Sequence, residues 1–171
     1  MNQASYRIEI DGLRGISILL VVLYHAGINL FHSGFVGVDI FFVISGFLMT
    51  MILYEKKISI INFYISRLKR ILPALIFVIV FVFVLTTIIF LPGHLDHFYK
   101  SLKYTLLFTS NIFFWIKSAD YFNINSYFQP LLHTWSLSLE MQFYFIMPFF
   151  IFFIKKLSNN SQIGFVLIFI L

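Results

Sequence analysis

The segment from Ile71 to Leu91 constrains the fold most strongly, because it runs for 21 residues without a charged side chain. A helix of this length crosses the roughly 30 Å hydrocarbon core of a bilayer. Over the whole chain, 60% of residues are hydrophobic and 11% are charged, against roughly 25% charged residues in soluble domains. Long apolar runs without strict alternation favour helices over a barrel. We therefore predict an all-α fold, a polytopic transmembrane helix bundle.

The hydropathy pattern predicts about four full spans and an incomplete fifth. The four spans are expected near residues 12–31, 35–54, 71–91 and 133–154. The nine residues from 163 to 171 begin another apolar helix but are too few to span. We therefore expect residues 1–171 to be the N-terminal part of one longer membrane domain, truncated here and without a separate soluble domain.

Two segments between the spans have a mixed character. Residues 55–70 combine five Lys or Arg with apolar side chains, which predicts an interfacial amphipathic helix before the third span, with Pro73 in the first turn of that span. Residues 102–116 number only 15 and include Lys103, Ser110 and Asn111, so we expect a re-entrant or interfacial segment.

The distribution of Lys and Arg predicts the orientation. With four spans and a cytoplasmic N-terminus, nine of these residues lie inside and three outside; a fifth span at 102–116 changes this to eight and four. Both counts place the N-terminus and residues 55–70 in the cytoplasm. The net charge of +5 thus reflects topology, and we expect no nucleic-acid partner. The absence of cysteine excludes disulfides, thiolate metal sites and a cysteine nucleophile.

Arg14 and His25 form the first candidate site, because a separation of eleven positions brings both side chains to one helix face. With Arg14 at the cytoplasmic surface, we expect His25 near half depth in the membrane. Two interpretations stay open for His25: a packing residue bonded to a neighbouring helix, or a general base at the inner end of a cavity with Arg14 at its mouth. Asp39 either caps the second helix or lines the same cavity.

Arg67 and Arg70 are three residues apart and so project from the same side of a helix. They either anchor a cytoplasmic interface or clamp the phosphates of a cofactor through paired N–H bonds. His133, Ser136 and Glu140 share another helical stripe, and Glu140 needs a partner or a wet cavity within the membrane. No third ligand accompanies His133 and Glu140, so we expect no metal.

Four segments in order resemble the motifs of the integral membrane acyltransferase 3 family. They read IDGLRGISILLVVLYH, GVDIFFVISGFL, RLKRILPAL and PLLHTWSLSLEMQFY, and they fall within residues 6–149. Met141 departs from the family pattern, which often has a second acid after the residue that corresponds to Glu140. Proteins of this family have a longer bundle of membrane helices, and the resemblance implies C-terminal helices that this chain lacks.

The resemblance implies an enzyme of the bacterial inner membrane that transfers an acyl group, commonly acetyl, from cytoplasmic acyl-CoA to a hydroxyl of an envelope or secreted glycan. It implies that Arg14 and His25 are central to activity, that Arg67 and Arg70 contribute to the acyl-CoA site, and that His133 and Glu140 have a structural or catalytic role. Membrane lipid, acyl-CoA and a glycan acceptor are the expected partners.

Two other functions stay open from the residues themselves. One is a transport or assembly subunit in which His25, Asp39 and Glu140 form a polar path through the membrane. It explains the ionisable residues within the spans but not the Arg67 and Arg70 pair. The other is an inactive truncated product.

Overall fold

The computed structural model describes residues 8–55, 59–118 and 129–156. Within these ranges the chain forms six α-helices and one 3-10 turn: α1 (Ile8–His25), the turn Asn29–Phe31, α2 (Val36–Glu55), α3 (Ile60–Ile89), α4 (Pro92–Leu106), α5 (Ser110–Ser118) and α6 (Thr134–Lys155). The predicted all-α membrane fold is confirmed. The incomplete fifth span predicted at 163–171 lies outside the described residues.

Three of the described helices, α2, α3 and α6, are long and apolar enough to cross a membrane. The bounds of α2 and α6 agree with the predicted spans at 35–54 and 133–154 to within about two residues. Helix α1 has 18 residues and carries Glu9, Asp11 and Arg14, so it is more polar than the other three. The count of four full spans therefore stays a prediction.

The bounds predicted for the first helix are wrong at both ends. Helix α1 begins at Ile8 and ends at His25, rather than running from 12 to 31. Gly27 adopts φ of 70°, the left-handed conformation that commonly ends helices and that glycine takes without a Cβ clash. The apolar residues after Gly27 form the 3-10 turn Asn29–Phe31 instead of continuing the helix.

Helices α1 and α2 pack closely because two glycines remove side-chain bulk where they meet. Gly34, just before α2, lies against Leu20 and Tyr24, and Gly37 in α2 lies against Ser17 and Val21 of α1. As the chain proceeds from Gly34 to Gly37, the contact moves back towards the N-terminus of α1. The two helices are therefore antiparallel, as the short connection predicts. A Cβ at Gly37 would overlap the carbonyl oxygen of Ser17.

We expect Gly37→Ala to destabilise the α1–α2 pair by about 1–3 kcal/mol, because backbone atoms in a close contact cannot move aside as a side chain can. Gly15→Ala is the matched control, since a Cβ at Gly15 meets nothing within 4 Å among the described residues. Thermal unfolding of the purified protein in detergent measures both. Equal melting temperatures for the two variants would contradict the close approach at Gly37.

Helix α3 is one continuous helix of 30 residues, so the predicted division into an interfacial helix and a separate span is wrong. Pro73 lies in the helix interior rather than in a first turn. The loss of one hydrogen bond at Pro73 does not end the helix, because both flanking segments have helical patterns. At about 45 Å the helix exceeds the hydrocarbon core by about 15 Å, which leaves room for its basic N-terminal part at the headgroups.

Residues 102–116 do not form one helix. Helix α4 ends at Leu106, Phe108 adopts φ of 53°, and α5 starts at Ser110. The segment is thus divided by a turn, while its location in the membrane and the number of spans stay predictions. An apolar core joins the two helices to the turn before α6 and consists of Phe98, Phe113, Phe114 and Leu131.

Buried hydroxyl groups hold α4, α5 and α6 together. The Ser110 hydroxyl lies 2.7 Å from that of Ser138 and 3.0 Å from that of Thr134, and Thr134 lies 3.0 Å from Thr105. Asn111 and Gln142 complete the contact through two amide hydrogen bonds of 3.0 and 2.9 Å. Hydrogen bonds of this kind join helices within membranes, where apolar association alone gives little stability.

The Lys and Arg distribution predicts that the two ends of α3 lie on opposite sides of the membrane, with the N-terminal end in the cytoplasm. In this cysteine-free chain, we expect a membrane-impermeant maleimide applied to intact cells to label Asp96→Cys and not Ser66→Cys. Ser66→Cys should react only after permeabilisation. The unmodified chain controls for background, and the reverse labelling pattern would contradict the orientation.

Candidate functional site

The predicted site residues lie in two compact units of the chain. Arg14, His25 and Asp39 belong to the unit before residue 57, and the remaining candidates belong to the unit that follows. Arg14 is half-buried on α1, with its guanidinium carbon 5.1 Å from the ring centroid of Phe41 on α2. This cation–π contact holds the arginine side chain against α2.

His25 is exposed and is the last residue of α1. Its expected place within the helix is wrong, because the helix ends there rather than continuing to residue 31. The Nδ1 atom lies 2.8 Å from the carbonyl oxygen of Val21. A carbonyl only accepts, so the ring proton belongs on Nδ1 and the lone pair of the neutral imidazole on Nε2. This tautomer suits a general base or a nucleophile acting through Nε2.

Asp39 is exposed in the first turn of α2. A carboxylate at this position interacts favourably with the helix dipole. Because α2 begins at Val36, Asp39 lies inside the helix and not at the position of an N-cap. The predicted capping role is therefore not observed, and the cavity interpretation stays a prediction.

Arg67 lies half-buried between two aromatic rings. Its guanidinium carbon is 5.3 Å from the ring centroid of Phe63, one turn earlier on α3, and 5.4 Å from that of Tyr144 on α6. The two rings stand at 88° to each other with centroids 6.4 Å apart, so they form two walls of a cage around the cation. The Nε atom is buried and has no hydrogen-bond partner among the described residues.

Arg70 differs from Arg67 although both project from the same side of α3. It is exposed. The pair thus combines one guanidinium held by aromatic rings with one that faces the surroundings. The clamp predicted from their spacing stays a prediction.

A cavity of about 550 Å³ opens beside Arg67 within the second unit. Its walls come from α3, from α6 and from the turn between α4 and α5, and they include Phe108, Gln142 and Tyr144. The lining is largely apolar, so Arg67 places a positive charge on the wall of an otherwise hydrophobic space. Such a cavity suits a ligand with an apolar part and an anionic group.

Glu140 is buried within α6, with 8% of its surface exposed. It accepts a hydrogen bond from the Tyr144 hydroxyl one turn later. His133, by contrast, is exposed just before α6, and its carbonyl oxygen accepts a hydrogen bond of 3.1 Å from Ser136. The predicted stripe is therefore divided between a surface group at the helix start and a buried carboxylate with an aromatic partner.

Phe63 and Tyr144 were missed by reasoning from the sequence. Both follow from helical spacing, since Phe63 precedes Arg67 by four residues and Tyr144 follows Glu140 by four. The contact between α3 and α6, which brings Tyr144 to Arg67, cannot be predicted from the sequence pattern of either helix.

The acyltransferase 3 family model, described as an acyltransferase domain, matches residues 7–171. The chain belongs to this family. No solved structure matches it.

Curated relatives are O-acetyltransferases by name. The chain is 36% identical over 159 residues to O-acetyltransferase OatA of Staphylococcus aureus, which covers 90% of the chain and 26% of the relative. It is also 36% identical over 160 residues to peptidoglycan O-acetyltransferase OatA of Listeria monocytogenes, covering 91% of the chain and 26% of the relative. The chain thus spans about a quarter of the length of these relatives.

Proposed function

We propose that the chain forms part of a membrane O-acyltransferase that moves an acyl group, acetyl in the first instance, from cytoplasmic acyl-CoA to a hydroxyl of an envelope glycan. The family membership carries this proposal. The name of the Listeria relative makes peptidoglycan the first acceptor to test. We place the protein in the bacterial cytoplasmic membrane with its N-terminus in the cytoplasm, on the basis of its Lys and Arg distribution.

Arg67 and Arg70 are assigned to the phosphates of the donor. The Arg67 guanidinium lies in the aromatic cage, and its Nε has no hydrogen-bond partner among the described residues, which supports a role in binding an anionic ligand. The apolar cavity beside it suits the uncharged arm and acyl group of acyl-CoA. Arg14 is assigned a supporting role at the donor, as a third cation.

His25 is assigned to the acyl transfer itself. As a general base, its Nε2 takes the proton of the glycan hydroxyl while that oxygen attacks the thioester carbonyl; the C–S bond breaks and the thiolate then takes up the proton. As a nucleophile, Nε2 attacks the carbonyl and the thiolate leaves; the acyl group then passes from the imidazole to the hydroxyl oxygen, and the thiolate takes up the hydroxyl proton. Both routes use the lone pair that the Nδ1 contact with Val21 assigns to Nε2.

Replacing both Arg67 and Arg70 by Lys should weaken acetyl-CoA binding by the full-length protein about tenfold or more, because an ammonium does not reproduce bidentate phosphate geometry. The control is Lys69→Gln, which removes an exposed charge between them and should leave affinity unchanged. Titration in nanodiscs measures both. A larger effect of Lys69→Gln than of the double variant would indicate that this segment acts through its net charge alone.

His25→Asn should lower acyl transfer by full-length protein roughly 10²-fold or more, because Asn neither takes a proton near neutral pH nor carries an acyl group. The matched control is His32→Asn, the same change at an exposed histidine of the same unit. Transfer to peptidoglycan is normalised to the amount of inserted protein. Near wild-type transfer by His25→Asn would leave His25 a packing residue.

A further inference from the structure

We propose that Glu140 and Tyr144 are positioning residues that fix the guanidinium of Arg67 for its anionic ligand. The inference rests on the proposed function, in which Arg67 binds a donor phosphate. It assigns Glu140 an indirect role, in place of the catalytic role that the family resemblance leaves open. Three contacts carry it: the carboxylate with the Tyr144 hydroxyl, the Tyr144 ring with Arg67, and the Phe63 ring with Arg67.

The first step is the anchoring of the Tyr144 ring. Tyr144 has 4% of its surface exposed, and its hydroxyl donates to the Glu140 carboxylate on the same face of α6. The bond therefore restrains the Tyr144 ring relative to α6, in addition to its packing against Phe63 of α3.

The second step links the ring to the cation. Arg67 lies over Tyr144 and Phe63 at nearly equal distances of 5.4 and 5.3 Å. Because the rings are almost perpendicular, the guanidinium is restrained in two directions. Phe63 belongs to the same helix as Arg67, whereas Tyr144 belongs to α6. Tyr144 thus fixes the arginine relative to the cavity wall that α6 contributes.

The third step predicts which kinetic parameter, KM for the donor or kcat, changes when the Tyr144 ring is loosened. A fixed guanidinium binds an anion with less loss of side-chain freedom than a mobile one. Loosening the Tyr144 ring should therefore raise the KM for the donor and leave kcat near its normal value. A proton-transferring Glu140 would instead show its loss in kcat.

The test uses the full-length protein in nanodiscs, with acetyl-CoA as the probe, and measures both binding and steady-state transfer. Tyr144→Phe removes only the hydroxyl and should weaken acetyl-CoA binding about two- to fivefold, the range expected for a loosened cation–π contact. Glu140→Leu should match it. Glu140→Gln, which keeps an acceptor oxygen, should retain most of the affinity.

A double-mutant cycle separates positioning from general loss of packing. If Tyr144 acts through Arg67, then Tyr144→Phe should have no further effect on acetyl-CoA affinity once Arg67 is replaced by Lys. Tyr104→Phe is the matched control, because it removes the same hydroxyl from a ring that stacks on Phe113 in the α4–α5 region. It should leave affinity unchanged.

Each outcome decides a different point. Additive effects of Tyr144→Phe and Arg67→Lys would overturn the positioning role while leaving the donor site in place. A fall in kcat without a change in KM for Glu140→Gln would overturn it too and mark Glu140 as catalytic. Wild-type protein that does not bind acetyl-CoA saturably would overturn the proposed donor site, and the positioning role would fall with it.

Discussion

Buried polar groups need partners, and this requirement organises the described part of the unit from residue 57 onward. The backbone meets it by forming helices, since lipid offers no hydrogen bonds. Side chains meet it by pairing between helices, as the hydroxyls of Ser110 and Ser138 do at 2.7 Å. Glu140 meets it through Tyr144. The pairs that satisfy buried polar groups are thus the same pairs that fix the helices relative to one another.

The N-terminal unit uses a different device, the removal of side chains. Gly34 and Gly37 let the backbones of α1 and α2 approach closely, and the contact tolerates no Cβ at either position. Arg14 lies farther along the same pair of helices, where the bulkier Phe41 meets it. The glycines therefore determine the helix contact that brings Phe41 beneath the Arg14 guanidinium.

Hydropathy predicts a helix well when its ends coincide with a change from apolar to polar residues. This holds for α2 and α6. It fails for α1, because the apolar sequence continues past Gly27 while the backbone turns at that residue. It fails for α3 in the opposite sense, since the basic residues before Pro73 change the polarity of the sequence without ending the helix. Hydropathy indicates whether a side chain prefers lipid or water, whereas the position of a helix end depends on the backbone conformation.

The candidate site shows the same division. Spacing along one helix predicts that Arg67 and Arg70 share a side of α3, but it does not distinguish them. The contact with α6 makes the difference: Tyr144 covers Arg67 and leaves Arg70 exposed. An arginine restrained by rings has already lost side-chain freedom on folding, so it binds an anion at a lower entropic cost than an exposed one. Exposed Arg70 keeps more of its rotamers, so it would lose more side-chain freedom than Arg67 if both bound the proposed donor.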